Sequence, residues 1–251
     1  MKNKSIGIIG VGFVGKILKR YYDDAKVYDI AGDCDPLESV LKCDIIFIAF
    51  NLKDNGLTSF EAIETYLKQA PDGRIFVIKS TFIPGTADRL QALYPQHSVV
   101  YSPEFLTEAT AWEDFIHPQY QILGMPHQTL DLSYELFELL PDAPVKRIIS
   151  PLDAEIYKHA QNTYYALKVT WFNQLYDACK ELGGDYETVR EIMVQNPWIG
   201  DSHSRIFHKG YRGYGGKCLS KDPLQLSKCV SFPLIEHMEA YNAHLLATKP
   251  L

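Results

Sequence analysis

Cys218 follows a glycine-rich run, Gly213-Tyr214-Gly215-Gly216-Lys217, and precedes Leu219-Ser220-Lys221-Asp222-Pro223. A thiol between such a loop and a helix opening near Pro223 has helix amides and two lysines, Lys217 and Lys221, to favour its thiolate. Most free cysteines are inert packed residues, so these residues alone leave both a nucleophile and a core thiol open. Asp222 either orients a base or caps the coming helix.

Lys158 and Asn162 stand at i and i+4, on one face of a helix. Such a pair is ordinarily surface decoration, but between Ile156 and Tyr176 the strong charges are Lys158 and Lys168 alone. A lysine buried in that setting can hold a water or an oxyanion. Glu104 and Glu108, in Ser102-Pro103-Glu104-Phe105-Leu106-Thr107-Glu108, follow a strand-like run. They fit a solvated helix start, or an acid/base at Glu104 in a partly apolar site.

Gly10-Val11-Gly12-Phe13-Val14-Gly15 is a G-x-G-x-x-G after an apolar run and before a helix-like stretch, the context a pyrophosphate-binding turn requires. The run Lys26–Tyr28 ends at Asp29, placed to bond a ribose 2′-hydroxyl and to repel a 2′-phosphate, which favours NAD over NADP. Ser80 and Thr81 follow another strand-like run and are placed to meet the cofactor. They also fit a capped turn.

Positioning these groups requires alternating elements. Apolar runs at Ser5–Gly10, Lys26–Tyr28, Asp44–Ala49, Arg74–Ile78, Ser98–Tyr101, Tyr120–Leu123 and Val145–Ile149 alternate with helical stretches. Near-continuous Ile/Val runs suit strands buried on both faces of a parallel sheet. The reading is an α/β chain: a Rossmann-like doubly wound parallel sheet over residues 1–150, then a long central helix and a small all-helical domain over 151–251. Ser150 is a helix cap with Pro151 next to it, and no Gly or Pro interrupts until Gly183. Tyr157, Tyr164, Tyr165, Trp171 and Phe172 spread around this helix, as expected for one buried on several sides. Further helices are expected from Asp185 to Gln195, at Pro223–Val230 and at Pro233–Ala247.

Composition sets the outer bounds. The chain has 251 residues, 46% apolar and 22% charged, ordinary globular usage. Its net charge of −6 gives no support to a binder of nucleic acid. No apolar run is long enough for a membrane span. Met1-Lys2-Asn3-Lys4 does not read as a signal peptide, and five cysteines without C-x-x-C fit reduced thiols and a cytoplasmic location. No metal-ligand spacing occurs, so no metal is expected.

Taken in order, G-x-G-x-x-G, S-T-x-x-P-G-T, S-P-E-F-L-x-E, A-E-x-x-K-x-x-x-N and G-Y-G-G-x-C-x-x-K-D resemble the UDP-glucose/GDP-mannose dehydrogenase family. That family oxidises a nucleotide sugar's primary alcohol to a carboxylate with two NAD, in polysaccharide biosynthesis. The resemblance implies Cys218 as nucleophile, Lys158 and Asn162 on the oxyanions, and Asp222 positioning Lys158 and the water. It implies Glu104 as acid/base with Thr81 in support. Phe105, Leu106 and Glu108 would line sugar or cofactor. Tyr214, Gly215 and Gly216 would approach the sugar, and Arg205 would reach a neighbouring subunit. A homodimer through residues 151–182 is implied, with a nucleotide sugar, UDP-glucose by default, as substrate.

Departures from the pattern are Ala49-Phe50-Asn51-Leu52 after the third strand, Ala109 where glycine is common, and Lys217 beside the cysteine. No counterpart of the family's third domain follows the helical region. The alternatives are a non-catalytic or incomplete binding subunit, and a two-electron β-hydroxyacid-type dehydrogenase.

Overall fold

The computed structural model describes residues 4–32, 34–50, 59–208, 210–216 and 218–248. Met1, Lys2, Asn3, Asn51, Leu52 and Lys217 lie outside them. The described residues form two units, Met1–Lys158 and His159–Leu251.

In the first unit, strands β1 (Ile6–Ile9), β2 (Lys26–Tyr28), β3 (Ile45–Ile48), β4 (Ile75–Ile78), β5 (Ser98–Tyr101), β6 (Tyr120–Gly124) and β7 (Val145–Ile149) form one sheet of order β2-β1-β3-β4-β5-β6-β7. Strands β1 to β5 pair in parallel. The sheet departs from the all-parallel expectation at β5–β6, which meet antiparallel at Tyr101↔Gly124. From there β6 and β7 run parallel to each other. Helices α1 (Phe13–Tyr21), α2 (Leu37–Leu41), α3 (Ser59–Gln69), α4 (Thr86–Leu93), α5 (Ala111–Ile116) and α6 (Ser133–Leu139) connect the strands.

β3 and β4 are buried at every residue because helices cover both faces. Ile46, Ile48, Phe76 and Ile78 pack into one cluster; Ile45, Phe47, Ile75 and Val77 pack into the other. Each such side chain contributes roughly 1.5–3 kcal/mol on burial. The chain leaves β1 toward β2 on one side and returns to β3 on the other. That reversal makes a ligand crevice beyond the carboxyl ends of β1 and β3.

Helix α7 (Pro151–Leu182) runs 32 residues, as its sequence indicates. The Ser150 hydroxyl accepts from the Asp153 amide at 3.1 Å and bonds the Asp153 carboxylate at 2.7 Å, closing a cap at both ends. The first unit runs to Lys158, two turns into this helix. Gly124 explains the join: a Cβ there would lie 2.8 Å from Ala154 Cβ and 3.0 Å from Pro151 Cα, so only glycine lets α7 pack this close to β6.

The second unit holds the rest of α7 with α8 (Tyr186–Met193), α9 (Asp222–Cys229) and α10 (Pro233–Ala247). Ala166, Val169, Tyr214, Leu226, Ile235 and Met238 form one core; Phe172, Cys179, Tyr186 and Ile206 form another. Among the described residues no helix is long and apolar enough to cross a membrane.

Candidate active site

The three glycines of the β1–α1 turn differ in what they permit. Gly10 has φ +96°, a left-handed conformation that side chains rarely adopt. A Cβ on Gly15 would fall 1.8 Å from the Gly10 carbonyl oxygen, so α1 approaches the loop closely only because that atom is missing. At Gly12 nothing among the described residues lies within 4 Å of a Cβ position. Gly12 also caps α1 without any side-chain bond, leaving the first helix amides open to an anion. Val11 is half-buried, Phe13 is exposed, and Val14 packs toward the core, so Val14 offers a ligand only its backbone.

Asp29 sits just past β2. Its carboxylate accepts from the Val11 amide at 2.6 Å and the Ala31 amide at 2.9 Å. It therefore braces the glycine turn. A carboxylate has about four acceptor positions, so capacity for a ribose hydroxyl remains. Open space at Gly12, bare amides and a carboxylate one strand away fit a dinucleotide.

Ser80 departs from its expected role. It is 6% exposed, and its hydroxyl donates to the Ile48 carbonyl at 3.2 Å, stitching the β4 end to β3 rather than facing a ligand. Thr81 is half-buried in the same loop. Glu104 is not in the apolar site expected for it. The Lys79 ammonium lies 2.5 Å from its Oε1, an ion pair instead of an apolar pocket. Lys158 is buried and donates to the Glu104 backbone carbonyl at 2.6 Å. The Lys158 ammonium also sits 5.1 Å from the Phe105 ring centre, and Phe105 packs against the rings of Tyr120 and Tyr157. Leu106 packs partly into the core, and Glu108 is exposed.

Glu155, one turn before Lys158, carries no expectation from its spacing. It is 1% exposed, and its carboxylate accepts from the Gly85 amide at 2.5 Å and the Ala87 amide at 3.0 Å. It thus pins the start of α4, and the loop of Thr81 with it, to α7. Burial pushes its pKa up to about 7 against those amide bonds, with nearby Asp88 adding to the rise. In the unfolded chain it titrates near 4.5. The native state therefore binds the proton more tightly. Stability is full below pH 4.5 and falls as pH rises through about 7. We expect Glu155→Gln to flatten this pH dependence while costing about 1 kcal/mol, because its Nε2 cannot accept from one of the two amides that the carboxylate oxygens serve. Urea denaturation of both proteins from pH 4 to 8 measures this; parallel curves would refute it.

In the second unit, Asp222 opens α9 and is 1% exposed. Its Oδ2 accepts from Asn162 Nδ2 at 2.5 Å, and its backbone carbonyl bonds the fully buried ring of His159 at 3.1 Å. Its Oδ1 is buried and has no hydrogen-bond partner among the described residues, with the Lys221 ammonium 3.6 Å away. The Asp222 amide donates to the Cys218 carbonyl at 2.9 Å, and the Lys221 amide to the same oxygen at 3.1 Å. The first amide of α9 is thus used on the Cys218 backbone, and Pro223 after it has no amide hydrogen to offer the thiol. Cys218 is exposed.

The glycine loop divides similarly. Gly216 has φ +79° and open space at its Cβ position, while Gly215 lies against the Tyr211 hydroxyl. Tyr214, expected at the sugar, is 3% exposed. Its amide and carbonyl bond the Asn242 side chain and its hydroxyl donates to Glu239, so it anchors the loop to α10. Arg205 stands out into solvent with its side chain 70% exposed, 3.7 Å from Asp201.

Sequence reading missed Lys79, Glu155 and His159. Lys79 ends an apolar run, Glu155 stands in the A-E-x-x-K-x-x-x-N pattern, and His159 follows Lys158 in a charge-poor helix.

Known proteins match this arrangement. Residues 29–140 match the NAD binding domain of the UDP-glucose/GDP-mannose dehydrogenase family, and 152–244 match its central domain. A UDP-glucose 6-dehydrogenase of Rickettsia conorii is 28% identical over 198 residues, covering 74% of this chain and 45% of that protein. A GDP-mannose 6-dehydrogenase of Pseudomonas aeruginosa is 29% identical over 228 residues, covering 83% and 51%. The chain thus spans about half the length of these curated relatives. A UDP-glucose dehydrogenase structure from Pyrobaculum islandicum superposes with TM-score 0.79 at 23% identity, over 96% of this chain and 68% of that one, a likeness of fold. With both domain models matched in order across the two units, the chain belongs to the UDP-glucose/GDP-mannose dehydrogenase family.

Proposed function

We propose that this chain carries out an NAD-dependent four-electron oxidation of a nucleotide sugar, UDP-glucose to UDP-glucuronate, through a covalent intermediate on Cys218. The observation that carries the reading is the Cys218–Asp222–Asn162 linkage. The Asp222 amide bonds the cysteine's carbonyl, and its carboxylate bonds Asn162, one turn from Lys158.

The glycine turn would hold NAD, which would supply hydride acceptance, one molecule for each of the two oxidations in succession. Once the primary alcohol has become an aldehyde, the Cys218 thiolate adds to its carbonyl carbon and a C–S bond forms. Lys158 and Asn162 donate to the oxygen as it gains charge. Oxidation of the thiohemiacetal gives a thioester. Water then attacks its carbonyl carbon with Glu104 taking a proton, the C–S bond breaks, and the carboxylate leaves with the thiolate regenerated. Asp222 positions Lys158 and the water. Thr81 supports Glu104, and Phe105, Leu106, Glu108, Gly215 and Gly216 lie beside substrate or cofactor. The protein works in the cytoplasm as a homodimer through α7, whose Tyr164 and Trp171 are 55% and 46% exposed in the single chain. In the dimer Arg205 reaches the neighbouring site.

The test is NADH counted to completion with a panel of nucleotide sugars. Two NADH per sugar are expected. One NADH per substrate, unaffected by thiol alkylation, would indicate a two-electron β-hydroxyacid-type enzyme. NAD binding with no turnover would indicate a binding subunit.

A further inference from the structure

We propose that Lys79 is a positioning residue that orients the Glu104 carboxylate, the base of the site, and supplies its counter-charge. This rests on the reading of Glu104 given above.

The register of β4 on β5 sets the geometry. Ile78 pairs with Tyr101, so the next residue on each strand, Lys79 and Ser102, leaves the sheet side by side. Lys79 is 3% exposed. Its ammonium donates to Ser102 Oγ at 2.9 Å and meets Glu104 Oε1 at 2.5 Å. A lysine is almost never buried unless paired. Here both partners belong to the one segment that carries the candidate base. Lys158 holds the same residue by its backbone carbonyl at 2.6 Å. Glu104 is thus gripped twice, its side chain by one buried ammonium and its main chain by another.

The two grips do different work. The bond from Lys158 fixes where the Glu104 backbone lies. The bond from Lys79 fixes where the carboxylate points and supplies its counter-charge. A carboxylate removed from water without a counter-charge favours its protonated form. A protonated Glu104 cannot take a proton from the attacking water. Lys79 therefore acts on the hydrolysis step through Glu104, without touching substrate.

Lys79→Met, Lys79→Arg and Glu104→Gln test this. With Lys79→Met, acyl-enzyme still forms, thioester hydrolysis slows on the order of 10²-fold, and the acidic limb of the pH–rate profile moves higher. Lys79→Arg restores most of the hydrolysis rate. A profile that stays in place, or an equal slowing of every step with a lower Tm, overturns the proposal. If wild-type protein shows no turnover, the reading of Glu104 as a base fails separately. The Lys79 pairing is then read by a carbon-13 NMR titration of the Glu104 carboxyl, assigned with Glu104→Gln. Its midpoint rises in Lys79→Met if the ion pair holds the charge, and an unmoved midpoint refutes it. Lys79→Gln, which keeps a donor but no charge, replaces the methionine variant should that one not fold.

Discussion

Cys218→Ser is expected to abolish carboxylate formation while leaving NAD affinity and Tm unchanged. The side chain is exposed and belongs to neither core cluster of the second unit, so its loss costs little stability, within about 0.5 kcal/mol. The Cys218 backbone carbonyl, which receives the Lys221 and Asp222 amides, is retained in the variant. What disappears is the thiolate. A serine hydroxyl at neutral pH is a weak nucleophile without an adjacent base. The aldehyde then has no sulfur to add to, and the second oxidation has no substrate. Chromatographic assay of the sugar acid, with NADH counted in parallel, decides the matter. Full acid production by the variant would remove the covalent route altogether.

A second large effect is expected from two glycines three residues apart, with opposite signatures. At Gly15 an added Cβ would fall 1.8 Å from a backbone oxygen and 2.9 Å from a backbone carbon, neither of which can swing aside. Gly15→Ala must therefore push α1 away from the turn. Its cost lies at the top of the roughly 1–3 kcal/mol typical of overpacking, seen as a Tm lower by several degrees. Dinucleotide binding is lost with it. At Gly12 the added methyl meets no atom of the described residues, and the backbone is extended at φ −77°, ψ −151°, so Tm falls far less than at Gly15. The methyl instead occupies the space through which a pyrophosphate reaches the α1 amides, and NAD affinity falls by at least tenfold, about 1.4 kcal/mol. Thermal melts and calorimetric NAD titrations separate the two. Wild-type affinity in Gly12→Ala would mean that the dinucleotide does not pass over this turn.

These contrasts show which features were open to reading in the chain. Strands β3 and β4 announced themselves because residues buried on both faces must all be apolar. The 32-residue α7 was legible from its Ser150 cap and uninterrupted pattern. The glycine turn was legible because tight turn geometry demands glycine at fixed short offsets, Gly10 at φ +96° and Gly15 against the Gly10 carbonyl. All of these are constraints within a few residues along the chain.

Other features depended on residues far apart. Ser80 and Tyr214 look like ligand contacts by type and place, yet Ile48 claims the first hydroxyl and Glu239 the second. Lys79, Glu155 and His159 look incidental, yet they hold Glu104, the α4 start and Asp222. A polar side chain's role is set by its nearest partner in space. Strand register and helix packing choose that partner across 23 positions for Lys79 and Ser102, and 63 for His159 and Asp222. Local pattern determines which elements form and where the chemical groups are mounted. The fold alone determines which groups are already paired, and therefore which remain available to a ligand.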